Sequence, residues 1–164
     1  MKKKFIRLYG AYGANTRFNS MKHRCPNAAF IGKAELENWD LEFRGVADIA
    51  PKTGKTLEIG MWAITAACER ALDHFEGFPH LYIKKNLRVM YRGEEYYAMF
   101  YIMNADSYRA GEISPPPKSY YDTLYVGYKD CGISHSQLFS ADGRANRKRT
   151  TTDRLTRWTY EAAE

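Results

Sequence analysis

Tyr9–Thr16 reads YGAYGANT, and the fold turns on how this stretch is read. The apolar run Phe5–Leu8 precedes it, interrupted by Arg7, an alternation that suits an edge-exposed β-strand. Gly10 and Gly13 then permit tight turns and let another group approach the main chain. Main-chain N–H groups freed in such a turn form a concavity that attracts anions. A plain reversal after a strand would use the same residues, so the stretch needs a chemical partner elsewhere in the chain before it counts as a site.

Composition sets the frame for that search. A chain of 164 residues suits one well-buried domain, and its 13 tyrosines favour a packed core over disorder. Lys2–Lys4 are followed by too few apolar residues for a signal peptide, and no run approaches a membrane-spanning length. Cys25, Cys68 and Cys131 are odd in number and lack Cys-x-x-Cys spacing, which predicts buried thiols in a reducing, cytoplasmic setting. The four histidines (His23, His74, His80, His135) show no metal-ligand spacing, so no metal site is expected. Of the net charge of +6, Arg144–Arg157 carries +5, from six basic residues against Asp153. The basic character therefore belongs to a tail, giving a predicted domain over 1–143 and a tail over 144–164. Nucleic acid is an expected partner only through that tail, for which a solvated segment is the simpler account.

Beyond the glycine loop, Asn19–Gly32 reads as a loop or short helical turn leading into a strand that carries Trp39, Leu41 and Phe43 on one face. Pro51–Lys55 (PKTGK) predicts a reversal, followed by a strand through Leu57, Ile59 and Met61. Thr65 is a natural N-cap, with Cys68, Ala71, Leu72 and Phe75 as the buried stripe and Gly77 as the stop. Leu81–Val89 and Tyr96–Met103 form two more strands around a turn at Arg92–Gly93, the second of them central. Tyr121, Leu124, Tyr125 and Tyr128 mark a helical face, and Tyr120 points elsewhere on that helix. Gly132 ends it, and Ser134–Ala141 predicts a further short helix. A sheet, mixed or antiparallel, with a few helices is the α+β class.

Chemistry enters with Glu76, in LDHFEGFP (Leu72–Pro79). At a helix C-terminus the macrodipole disfavours a carboxylate by roughly 0.3–1 kcal/mol, and desolvation by Phe75 and Phe78 would add more. Both effects favour a carboxyl that takes and returns a proton near neutrality, although an exposed glutamate beside a glycine cap fits the local sequence too. No Ser/His/Asp arrangement, nucleophile elbow, Lys-Ser/Thr phosphate loop or metal cluster is visible. An enzyme built from one carboxylate and one anion-binding turn suits a substrate that carries its own nucleophile. Well-oriented intramolecular attack has an effective molarity on the order of 10⁵–10⁸ M.

YGAYGANT is followed by M-x-x-RCP-x-A (Met21–Ala28), IGKAEL (Ile31–Leu36), LDHFEGFPHLY (Leu72–Tyr82), YIM (Tyr101–Met103) and PPPKSYYDTLYVGY (Pro115–Tyr128). These motifs, in this order, resemble the γ-glutamylcyclotransferase-like family. The resemblance runs from about Leu8 to Ala141. It implies a small β-barrel with helices packed around it and a cavity at one opening. The implied activity is cleavage of a γ-glutamyl amide by attack of the α-amine on the γ-carbonyl, releasing 5-oxoproline and an amine or amino acid, with no cofactor. Glu76 matches the family's acid/base glutamate. Tyr9 or Tyr12, with Gly13, Ala14, Asn15 and Thr16, matches the loop that holds the γ-glutamyl group. Tyr120, seven residues before Gly127, matches a tyrosine that lines the same pocket. Ala14 and Thr16 depart from the family's usual YGSNL, and Pro117 stands where a serine is common. Arg24 and Cys25 read more simply as a structural turn than as pocket residues. Two competing readings are a non-catalytic protein that binds a small ligand in the same cavity and a nucleic-acid-associated protein that acts through the tail.

Overall fold

The computed structural model describes residues 3–107 and 111–147. Strand β1 (Phe5–Ala11) leads through a 3₁₀ turn (Ala14–Thr16) into helix α1 (Phe18–Arg24). Two long strands follow, β2 (Ala29–Phe43) and β3 (Ala47–Thr65), then helix α2 (Ala66–Glu76). A second hairpin, β4 (Tyr82–Tyr91) and β5 (Glu94–Met103), precedes helix α3 (Lys118–Cys131) and helical residues 136–147. The strands close into a barrel in the order β1-β3-β2-β4-β5. Neighbours are antiparallel except β1 and β5, which meet in parallel at Tyr9 and Met99. The fold is therefore a mixed barrel with helices around it, as the resemblance implies.

Closure decides which side chains are buried. Along β5, Ala98, Phe100 and Ile102 join one apolar cluster with Leu124 and Tyr128 of α3. Met99, Tyr101 and Met103 join a second with Met21 of α1 and Leu72 of α2. This is the period-2 alternation of a strand covered on both faces. β1 is consequently no edge strand, since it pairs with both β3 and β5. Gly10 is required at that junction, where a Cβ would lie 2.3 Å from the Phe100 ring.

Several expectations need correction. Pro51–Lys55 does not reverse the chain; it lies within β3, between the pairs Trp39↔Pro51 and Glu37↔Thr56. It is an outward bulge opposite Asn38, whose side-chain oxygen accepts the Gly54 N–H at 3.0 Å. The reversal comes earlier, between the paired residues Phe43 and Ala47, with Gly45 left-handed at φ 76°. Phe75 is 43% exposed and is not part of the buried stripe of α2, which retains Cys68 and Leu72. On α3 the buried face is Leu124, Gly127, Tyr128 and Cys131, while Tyr125 is exposed. The cysteines are buried, but Cys25 and Cys68 form a disulfide that joins the end of α1 to the first turn of α2. Cysteine usage therefore gives no support for a reducing compartment.

The helical residues 136–147 run past Gly143, with Ala145 fully buried and an Arg144 N–H donating to the Leu41 carbonyl at 2.7 Å. Arg144 also pairs with Asp40 at 3.3 Å, so its charge is neutralised within the barrel domain. The rest of the basic run, beyond residue 147, lies outside the described residues. No helix among the described residues is long and apolar enough to cross a membrane.

Candidate active site

A cavity of about 130 Å³ opens where β1 passes into the glycine turn. Tyr9 and Gly10 come from β1, Tyr12, Gly13, Ala14 and Asn15 from the turn, and Val46 and Ala47 from the β2–β3 hairpin. Phe75 and Glu76 close it from the end of α2, with Leu81, Tyr82, Tyr101 and Tyr120 completing the wall.

Local sequence chemistry sets these groups in place. The Thr65 hydroxyl accepts the Cys68 N–H at 3.2 Å, and Gly77 terminates α2 at φ 65°. Glu76 is thereby held at the last helical position. Gly13 leaves room for Tyr120, because a Cβ there would lie 3.2 Å from its hydroxyl and 3.4 Å from the Ala47 side chain. The turn closes through the Gly13 carbonyl, which accepts the Thr16 N–H at 3.0 Å and the Thr16 hydroxyl at 2.7 Å. The first N–H groups of such a helical turn have no partner within it, and Ala14 and Asn15 carry them in the cavity wall.

Glu76, Tyr9, Tyr12, Gly13, Ala14, Asn15 and Tyr120 all face one cavity. Thr16 does not. It is fully buried and packs beneath Gly127, where a Cβ would stand 2.1 Å from its hydroxyl. The 3₁₀ closure points it toward α3, away from any ligand. Phe78 is also no part of the wall, its ring lying under the Lys84 ammonium at 4.3 Å.

The Asn15 amide ties the polar groups together. Its nitrogen donates to the Tyr9 hydroxyl at 3.1 Å and reaches Glu76 Oε1 at 3.5 Å, while its oxygen accepts an Arg24 N–H at 2.8 Å. The Arg24 guanidinium lies 3.5 Å from the centre of the Phe75 ring. Arg24 therefore belongs to the site's surroundings and is not merely part of a turn. Tyr12 donates to the Tyr101 carbonyl, Tyr82 to the Ala47 carbonyl and Tyr101 to Asp73 Oδ1. Tyr9 and Tyr120 differ, since each hydroxyl accepts a hydrogen bond, from Asn15 and from the Ala47 N–H respectively. Each can still donate its own proton into the cavity.

Burial pushes the Glu76 carboxyl up to about 7, against the pull of Arg24 in the other direction. Burial, and then the charge of Glu76, holds the Tyr9 phenol far above the usual range. Burial also raises Tyr120, partly offset by the Ala47 N–H. The cavity wall thus brings together one titrating acid, five tyrosines of which Tyr9 and Tyr120 accept hydrogen bonds at their hydroxyls, and the residues of a tight turn. Val46, Ala47, Leu81, Tyr82 and Tyr101 complete it without a local sequence signal, because only barrel closure brings them to the turn.

The closed barrel thus sets a carboxyl whose proton affinity is raised by burial and a glycine turn in the wall of one cavity. The family model described as gamma-glutamyl cyclotransferase, AIG2-like, matches residues 9–122, and the chain belongs to that family. A solved gamma-glutamyl cyclotransferase superposes with a TM-score of 0.70 at 26% identity, over 77% of this chain and 80% of that one. An uncharacterized protein from Homo sapiens gives 0.69 at 27% identity over the same shares. YkqA from Bacillus subtilis gives 0.68 at 20% identity, over 85% of this chain and 54% of that one, a likeness of fold. No curated protein matches the sequence.

Proposed function

We propose that this protein cleaves a γ-glutamyl amide by intramolecular cyclisation, releasing 5-oxoproline and an amine or amino acid. The observation that carries the reading is Glu76, its carboxyl pushed up to about 7 by burial, within one cavity with the Gly13–Asn15 turn. A group with that proton affinity serves as both base and acid near neutrality. Membership of the family supports the same chemistry.

The steps follow from these parts. The substrate's α-ammonium gives a proton to Glu76, and the freed amine attacks the γ-carbonyl carbon to form the five-membered ring. The developing oxyanion is met by turn N–H groups or by a phenolic O–H of Tyr9 or Tyr120. The tetrahedral intermediate then collapses: the bond from the γ-carbon to the leaving nitrogen breaks, Glu76 returns its proton to that nitrogen, and the ring nitrogen's second proton passes through Glu76 to the released amine, leaving a neutral lactam and an ammonium. Because the nucleophile belongs to the substrate, the reaction balances with no cofactor. The cavity of about 130 Å³ is smaller than the roughly 300–1,000 Å³ of sites for drug-sized ligands, which suits the glutamyl half alone. The leaving group would extend into the groove that shares Val46 and Tyr120 with the cavity and continues along Pro115–Pro117.

The test is 5-oxoproline release from a panel of γ-glutamyl amines, γ-glutamyl dipeptides and glutathione. Release by the wild type and its loss in Glu76→Gln are expected. Equal release by both proteins, or none from any substrate, would overturn the reading.

A further inference from the structure

We propose that Arg24 is a positioning residue that holds Asn15 and Glu76 as one unit and governs the pH at which Glu76 gives up its proton. Arg24 is the last residue of α1, and Cys25 immediately after it is bonded to Cys68 in the first turn of α2. The end of α1 is thus fastened to the helix that carries Glu76. Within that frame the Arg24 side chain meets the Asn15 oxygen at 2.8 Å and the face of Phe75 at 3.5 Å. With its oxygen held by a guanidinium, the Asn15 amide presents its nitrogen to Tyr9 and Glu76. Reversing the amide would set its oxygen against the carboxylate and its N–H₂ against the guanidinium. Arg24 therefore fixes which end of Asn15 faces the cavity.

The charge acts in parallel. The other titratable groups lining the cavity with Glu76 are phenols: Tyr9 and Tyr12 from β1 and its turn, Tyr82 and Tyr101 from β4 and β5, and Tyr120 from α3. A phenol is ordinarily neutral near pH 7, and Arg24 is the cation that offsets burial at Glu76. Without it, desolvation acts unopposed, and the carboxyl stays protonated at neutral pH, unable to accept a proton from an ammonium. Arg24 thus brings the carboxyl back to the pH range in which it can work in both directions. The consequence for catalysis rests on the cyclotransferase reading; the effect on Glu76 does not.

The experiment is a carboxyl ¹³C NMR titration of the full chain, with the Glu76 resonance assigned by its absence in Glu76→Gln. In Arg24→Gln the Glu76 midpoint should rise by about 1 pH unit. Arg24→Lys, which keeps the charge, should return it to within about 0.3 units of the wild type. Arg24→Met supplies a second uncharged side chain should the glutamine variant not fold. Equal midpoints in the charged and uncharged variants, or a fall on removing the charge, would overturn the proposal whether or not any substrate is turned over. Where 5-oxoproline release is measurable, the rising limb of kcat/KM should move by the same interval, which loss of packing alone would not produce.

Discussion

Replacing Glu76 by glutamine tests the site through stability as well as rate. In the folded protein the carboxyl titrates at about 7, against an ordinary value of 4.5. Between those values the native state holds a proton that the unfolded state has released. Stability therefore falls as pH rises through this window and is not regained above it. At 1.36 kcal/mol per unit, the penalty at pH 8 is about 3 kcal/mol, and it is nearly gone at pH 4.5. Glutamine keeps the shape and carries no charge, so Glu76→Gln escapes the penalty. In a chain of this size each kcal/mol moves Tm by roughly 2–4 °C. The Tm of the variant relative to wild type should thus be roughly 6–12 °C more favourable at pH 8 than at pH 4.5. Paired thermal melts across this range measure the double difference, which cancels any constant effect of the substitution. In the same protein 5-oxoproline release should fall by at least about 100-fold. A Tm difference independent of pH would refute the claim that burial raises Glu76, and with it the reason for assigning proton transfer to this residue.

Other substitutions probe the cavity and its supports. Tyr120→Phe removes a hydroxyl that accepts from the Ala47 N–H and faces the cavity. Tm should change by only a few degrees, while kcat/KM for 5-oxoproline release falls about 10–100-fold. Gly127→Ala places a methyl 2.1 Å from the Thr16 hydroxyl and 2.6 Å from the Arg17 nitrogen. Because main chain must yield, chemical denaturation should report a loss of about 2–3 kcal/mol. Cys25→Ser opens a link between residues 43 apart, for which the chain-entropy model gives about 4 kcal/mol; denaturation under non-reducing conditions reads it directly.

What the sequence makes legible here follows the range of the interaction. The ends of α2 are readable because capping is local: Thr65 bonds a main-chain N–H three residues on, and Gly77 adopts the left-handed conformation its type allows. The turn at Arg92–Gly93 is readable for the same reason, with both residues at positive φ. PKTGK misleads because proline and glycine mark a departure from regular pairing without saying whether the chain turns back. That is settled by the β2–β3 register, which bulges at Asn38 and reverses around Gly45. Arg24, placed in the RCP motif, has no local signal that tells a pocket residue from a turn. Its role depends on Asn15, nine residues earlier, and the Asn15 contact with Glu76 spans 61 residues.

The same distinction explains why Glu76 cannot be judged from its own neighbourhood. A helix C-terminus disfavours a carboxylate by roughly 0.3–1 kcal/mol, too little to move its midpoint by a whole pH unit. The rise from 4.5 to about 7 is larger and comes chiefly from burial. Phe75 contributes a wall and Phe78 does not; much of the rest is Tyr9, Tyr12, Tyr82, Tyr101 and Tyr120, from both ends of the barrel sequence. β1 brings the turn to this place by pairing with β3 and β5 at once, and closure leaves the glycine turn facing the end of α2. Residue type alone leaves Glu76 an ordinary carboxylate. The closed barrel makes it an acid that titrates near neutrality, and a substitution that opened the β1–β5 junction should lower its midpoint without touching it.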